Sequence, residues 1–172
     1  QQYQHILVPV DGSKEAELAF KKAVAVALRN GADTELQLLH VVDTRAFQNV
    51  SSFDSSMVEQ VTKTAKQTLD QYVDYAKKQG LTNVSYTIEY GAPKTLISRE
   101  VPEKMHADLI MIGATGLNAV ERILIGSVTE YVTRMAICDV LVVRTDLDNQ
   151  PTSFKKHRSE ERRVGKECRS RW

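Results

Sequence analysis

Along residues 5–143, apolar runs of strand length alternate with amphipathic runs of helix length. This alternation restricts the fold more than any other feature of the sequence. A buried apolar strand followed by a helix with one apolar stripe packs as a parallel sheet covered by helices, an α/β fold of the Rossmann-like open type with helices on both faces. Strands are expected at residues 5–10, 36–42, 84–90, 109–113 and 140–143. Four helices are expected between them. In the first, Ala16, Ala19, Phe20, Ala23, Ala27 and Leu28 recur at spacings of three and four, and Asn30-Gly31 is a natural stop. In the second, Met57, Val61, Ala65, Leu69, Tyr72 and Ala76 share a face ended by Gln79-Gly80. Gly91-Ala92-Pro93 opens the third, and the fourth covers residues 126–135. Pro102 falls inside the third helical run and is expected to kink or shorten it near its C-terminal end.

Two strands carry further information. The third alternates Val84, Tyr86, Ile88 and Tyr90 with Ser85, Thr87 and Glu89, the pattern of a half-exposed edge. The fifth, from Val140 to its end at Val143, is apolar throughout, and an apolar strand at an edge requires a cover. Pairing with a second copy across a two-fold axis would supply one, so a homodimer through this strand is expected.

Composition narrows the setting. Hydrophobic residues make up 42% and charged residues 26%, the balance of a chain that buries a core. No stretch approaches the roughly 18 to 20 consecutive apolar residues of a membrane span, and residues 1–6 lack the layout of a secretion signal. Cys138 and Cys168 form neither a disulfide framework nor a zinc site. A cytoplasmic protein without a membrane partner is expected. Residues 155–172 hold eight Lys or Arg against three Glu, which leaves fifteen basic and nineteen acidic side chains in the rest. That acidic body gives no electrostatic basis for nucleic-acid binding.

The tail stands apart. Beyond Pro151 the apolar periodicity stops, and residues 149–172 are expected to be disordered. Residues 158–172 (RSEERRVGKECRSRW) resemble the translation of a common sequencing adapter, so they are set aside as an assembly artefact, and residues 1–148 are taken as the single folded domain.

Chemistry points to one segment. Gly113-Ala114-Thr115-Gly116 ends the fourth strand, nine residues follow, and Gly126-Ser127-Val128 opens a helix. Glycines there permit close backbone approach, and free amides at a helix start form an anion site beside the Ser127 hydroxyl, a geometry that favours phosphate. The same residues would also serve as turn glycines and a serine cap. Neither a G-x-x-x-x-G-K-[ST] loop nor a G-x-G-x-x-G turn after the first strand is present, which argues against P-loop hydrolysis and dinucleotide chemistry.

The opening ILVPVDGS, the second-strand LLHVV, the spacing G-x2-G-x9-G-S and the closing CDVLVVR together resemble the universal stress protein family, specifically its ATP-binding branch, over residues 3–144. The resemblance implies a five-stranded parallel sheet of order 3-2-1-4-5 and a dimer through strand five. It implies that Gly113 and Gly116 approach ribose and phosphates, and that Gly126, Ser127 and Val128 offer amides and a hydroxyl to the phosphate tail. Asp11 matches an aspartate near the nucleotide, although a cap for the first helix is an equal role for it. Pro9 and Val41 match positions that wall the adenine, or serve as core residues. Arg122 could meet a phosphate or remain a solvated surface charge. His40 is expected to be a hydrogen-bonded core histidine, and Cys138 a packed thiol. Asp139 departs from the family, in which a proline commonly precedes the last strand, and this bears on the strength of the dimer.

Three functions follow. One is an ATP-binding regulator, with or without magnesium, whose occupancy alters loop 117–125 or the dimer and so its affinity for an unidentified protein partner. Another is a slow phosphoryl or adenylyl transferase using Asp11 or Ser127. With no evident general base, catalytic lysine or carboxylate pair for magnesium, turnover should be slow. A third is an interaction module that presents residues 43–56 and ignores nucleotide.

Overall fold

The computed structural model describes residues 2–48, 55–115 and 125–151. Its sheet has five strands, all parallel, in the order β3-β2-β1-β4-β5. They are β1 (His5–Pro9), β2 (Glu35–Val42), β3 (Val84–Tyr90), β4 (Leu109–Gly113) and β5 (Asp139–Val143). The helices are α1 (Lys14–Asn30), α2 (Ser55–Lys78), α3 (residues 93–105) and α4 (Ser127–Met135), with a 3₁₀ turn at Thr44–Phe47. The expected architecture is therefore present, with β3 and β5 at the two edges.

Side-chain alternation along the strands divides the core in two. Ile6, Val8, Leu36, Leu38, Leu109 and Met111 face α1 and α2, where Phe20 stacks on Tyr72 with ring centroids 4.9 Å apart. Leu7, Leu39, Ile110 and Ile112 face α3 and α4, packing on Ile97, Val101 and Val132. Leu28, Met57 and Val61 extend the apolar stripes of α1 and α2 in sequence but are about 40% exposed, although Ala27 beside Leu28 is fully buried.

Between β1 and α1 the chain turns at Gly12, whose φ of 85° favours glycine. Ser13, not Asp11, caps α1: its hydroxyl accepts the Ala16 N–H at 3.1 Å. Asp11 supports that cap from two residues back, its carboxylate accepting the Ser13 N–H at 3.0 Å.

Pro102 acts differently from a simple kink. Helix α3 consists of an α turn at Pro93–Thr95, a π turn at Leu96–Glu100 and an α segment at Val101–Met105. The Val101 N–H reaches back five residues to the Leu96 carbonyl. Pro102 has no N–H to give the Ser98 carbonyl four residues earlier. That carbonyl accepts the Ile137 N–H instead, at 3.3 Å.

At the opposite end of the strands, Asp108 ties the central pair together by accepting the Gln4 and His5 amides at 2.7 and 3.1 Å. After β5 the chain forms a turn closed by a bridge between Thr145 and Pro151. Asp146 accepts the Asp148 and Gln150 amides there, while Lys22 of α1 reaches Thr145 Oγ1 at 2.6 Å and Asn149 Oδ1 at 3.1 Å. Ordered contacts thus continue three residues past Asp148. The adapter-like residues 158–172 lie outside the described residues.

Candidate functional site

Strand order reverses between β1 and β4, and in open α/β sheets such a reversal leaves a crevice beyond the carboxyl ends of the strands. Here a cleft of about 490 Å³ occupies that position. Its floor is the ends of three strands: Pro9 of β1 with Val10 and Asp11 after it, Leu39, His40 and Val41 of β2 with Asp43 after it, and Ile112 and Gly113 of β4. Pro93 and Ile97 of α3 also line it, as do Gly126, Ser127, Val128 and Thr129 at the start of α4. Seven of the eight residues expected from sequence, namely Pro9, Asp11, Val41, Gly113, Gly126, Ser127 and Val128, line this one space. Gly116 lies outside the described residues, as do Arg122 and most of loop 117–125.

Gly113 and Gly126 are brought together because the end of β4 and the start of α4 are tied to each other directly. The Gly126 N–H donates to the Ala114 carbonyl at 2.8 Å, and the buried Thr129 hydroxyl donates to the Gly113 carbonyl at 2.8 Å. Gly113 has a packing reason of its own. A Cβ there would lie 2.8 Å from the carbonyl carbon of Glu15 and 2.9 Å from its oxygen, so α1 can approach β4 only at a glycine.

Helix α4 begins without a side-chain cap. Gly126 occupies the cap position, Ser127 is the first helical residue, and no side chain among the described residues accepts from the first turn. The alternative reading of Ser127 as the helix cap does not hold, since Gly126 takes that position. The leading amides of such a helix have no carbonyl four residues back to receive them, and they carry the positive end of the helix dipole. Ser127 is exposed at that end.

Apolar side chains line the same cleft, among them Pro9, Leu39, Val41, Ile97 and Ile112. Leu39 pairs with Pro9, and its carbonyl accepts the Val10 N–H at 2.8 Å. Peptide groups two residues apart on a strand point the same way, so those of Val41 also face the β1 side, past the last paired residue of β1. His40, half-buried, turns its ring Nδ1 to the Val10 carbonyl at 2.9 Å, and against a carbonyl that nitrogen must be the donor.

Asp43 also lines the cleft, and sequence reasoning missed it. The Arg45 guanidinium grips it with two bonds of 2.8 and 2.7 Å and holds its carboxyl below the usual carboxylate range. Ile97 and Thr129 were missed as well. All three come to the cleft through tertiary packing, although the Asp-x-Arg pattern after β2 marks Asp43 as a fixed anion. Cys138 is half-buried away from the cleft, and burial, with Asp108 and Asp139 adding repulsion, pushes its thiol up to about 11. Among the described residues no cluster of three or more His, Cys, Asp or Glu could hold a metal, and no helix is long and apolar enough to cross a membrane.

Comparison with known proteins gives the same picture. A putative universal stress protein of Staphylococcus haemolyticus is 44% identical over 144 residues, covering 84% of this chain and 86% of that relative. The structure of the universal stress protein UspA from Lactobacillus plantarum superposes with a TM-score of 0.73 at 34% identity, covering 84% of this chain and 99% of the other. A universal stress protein crystallised in complex with cAMP gives a TM-score of 0.63 at 25% identity, covering 83% and 98%. The model of the universal stress protein family matches residues 2–144, and the chain belongs to that family.

Proposed function

We propose that the cleft binds ATP and that its occupancy regulates the affinity of the protein for a partner protein. The observation that carries this reading is the uncapped start of α4 opening into the same cleft as the apolar side chains of Pro9, Leu39, Val41, Ile97 and Ile112. In this arrangement Pro9 and Val41 flank the adenine, and the outward peptide groups of Val41 meet its polar edge. Asp11 and Gly113 lie toward the ribose, and Gly116, outside the described residues, is assigned to the ribose and phosphates from its place in the glycine motif alone. The amides of Ser127 and Val128, with Gly126 and the Ser127 hydroxyl, receive the phosphates. The cAMP complex of a structural relative supports an adenine nucleotide as the ligand class.

Charge bears on the form of the ligand. Asp11 and Asp43 line the cleft, and no Lys or Arg does so among the described residues. Such a lining leaves a triphosphate under-neutralised, so magnesium accompanies ATP in this reading. Homodimerisation through β5 belongs to the same proposal. One side of β5 pairs with β4 and the other faces outward, with Leu141 and the preceding Ile137 about half exposed. A switch requires that ATP favour one state of the loop or dimer, since equal affinity for both shifts nothing.

Equilibrium binding of ATP, with and without magnesium, to a chain ending at Pro151 tests the reading. Micromolar or tighter binding that strengthens with magnesium is expected. No binding would favour the interaction-module alternative.

A further inference from the structure

The trans peptide between Gly113 and Ala114 sends its N–H and its C=O in opposite directions. The Ala114 N–H goes to the Val143 carbonyl of β5 at 3.0 Å, so the Gly113 carbonyl points the other way, toward β1. Pairing between β1 and β4 consists of Ile6 with Leu109 and Leu7 with Ile110, and beyond those pairs the cleft lies between the two strand ends. A carbonyl oxygen is thereby turned to the space that would receive an anion, and its partial negative charge, left bare, would oppose phosphate.

Thr129 takes up that oxygen. It is the third residue of α4, lines the cleft, is 4% exposed, and donates its hydroxyl proton to the Gly113 carbonyl at 2.8 Å. A hydroxyl has a single proton, so Thr129 has none left for a phosphate oxygen and acts instead through Gly113 and through its own helix. The adjoining Ala114 carbonyl is taken as well, by the Gly126 N–H at 2.8 Å. The two bonds bracket the leading amides of α4: Gly126 precedes Ser127 and Val128, and Thr129 follows them.

We propose that Thr129 is a positioning residue for the phosphate site: its hydroxyl covers the carbonyl turned toward the incoming anion and fastens the first turn of α4 to β4, which keeps the Ser127 and Val128 amides at the cleft. This rests on the ATP reading for the identity of the anion, and not for the fastening of α4 to β4.

The experiment compares Thr129→Val, which keeps the shape and drops the hydroxyl, with Thr129→Ser, which keeps the hydroxyl and drops a methyl group. Both are read by ATP and adenosine binding to the full chain and by amide exchange at Gly126 without ligand. In Thr129→Val the Gly126 amide should exchange faster and ATP affinity should fall by about tenfold, while adenosine, which carries no phosphate, should hold within about twofold. Thr129→Ser should bring ATP affinity back to within about threefold of the unsubstituted chain. Should valine prevent folding, Thr129→Cys, a weaker donor of similar size, carries the same expectations. Unchanged ATP affinity in Thr129→Val, an equal loss for ATP and adenosine, or no recovery with serine overturns the role at the phosphate, and unchanged Gly126 exchange overturns the fastening. If the unsubstituted chain binds no ATP, the phosphate role falls with that reading, while Gly126 exchange alone decides whether Thr129 holds α4 to β4.

Discussion

Gly113 and the Glu15 peptide are in such close approach that a single methyl group on Gly113 would lie 2.8 Å from the Glu15 carbonyl carbon. The obstruction is backbone, which cannot rotate aside. Gly113→Ala should therefore destabilise the free protein by about 1–3 kcal/mol, the usual cost of overpacking, by pushing α1 from β4. Urea denaturation without ligand measures it. A neutral result would show that α1 shifts at little cost and leave the glycine to a ligand's needs alone.

Ser127→Asp separates binding from folding because the two should respond in opposite directions. An acidic residue in the first turn of α4 favours the helix dipole by about 0.3–1 kcal/mol, so Tm should hold or rise. The same carboxylate repels phosphate, and ATP affinity should fall by at least about tenfold. Titration calorimetry and a thermal melt on one sample test both, and retained affinity would remove Ser127 from the phosphate site.

Truncation after Asp148 should be less stable than truncation after Pro151. The shorter chain loses Asn149, one of the two partners of Lys22, and the Gln150 amide that Asp146 holds. A deficit of about 1 kcal/mol is expected, with Lys22→Ala adding less to the shorter chain than to the longer one.

Cys138 should react slowly with alkylating agents. Its thiol, pushed from 9.0 to about 11, holds about a hundredfold less thiolate near neutral pH than an unshifted thiol. A raised acid pKa also sets a sign for stability. The folded state keeps the proton that the unfolded chain releases, so this contribution is intact below pH 9 and is lost as pH rises toward 11. Iodoacetamide kinetics on a Cys168→Ser chain from pH 7 to 10 should show a rate still climbing at the top of the range; a plateau near pH 9 would contradict the shift.

Leu141→Lys, at the outward side of β5, should turn a dimer into a monomer with unchanged circular dichroism, because a buried lysine at a strand pair is costly and an exposed one is not. Sedimentation equilibrium distinguishes the outcomes. A dimer that survives the substitution does not use this edge.

The layout of the sheet was legible because strand burial writes itself into short-range pattern: the alternation of Val84 to Tyr90 marked an edge, and β3 is one. Helix faces were legible in their centre and not at their margins, since Leu28, Met57 and Val61 follow the period and remain exposed while Ala27 and Ala65 are buried. Pro102 was visible as a disturbance, but its resolution through a π turn depends on the Ile137 amide, 35 residues further along the chain. The paired glycines located the cleft, whereas Asp43, Ile97 and Thr129 reach it by tertiary packing that no local spacing encodes. The cap of α1 lay two residues from Asp11: Asp11 and Ser13 are both good caps by type, and the turn at Gly12 gives the helix to Ser13.

The pairing of Ile6 with Leu109 places neighbours in space that are about a hundred residues apart in synthesis. Strands β1, β2 and β3 with α1 and α2 can assemble as soon as they are made, each new strand adding beside the last. β4 must then return to the far side of β1, where the Asp108 carboxylate fastens onto Gln4 and His5. Because the cleft straddles that late junction, it is completed after the scaffold on which it rests, and a nascent chain has no pocket until its second half docks.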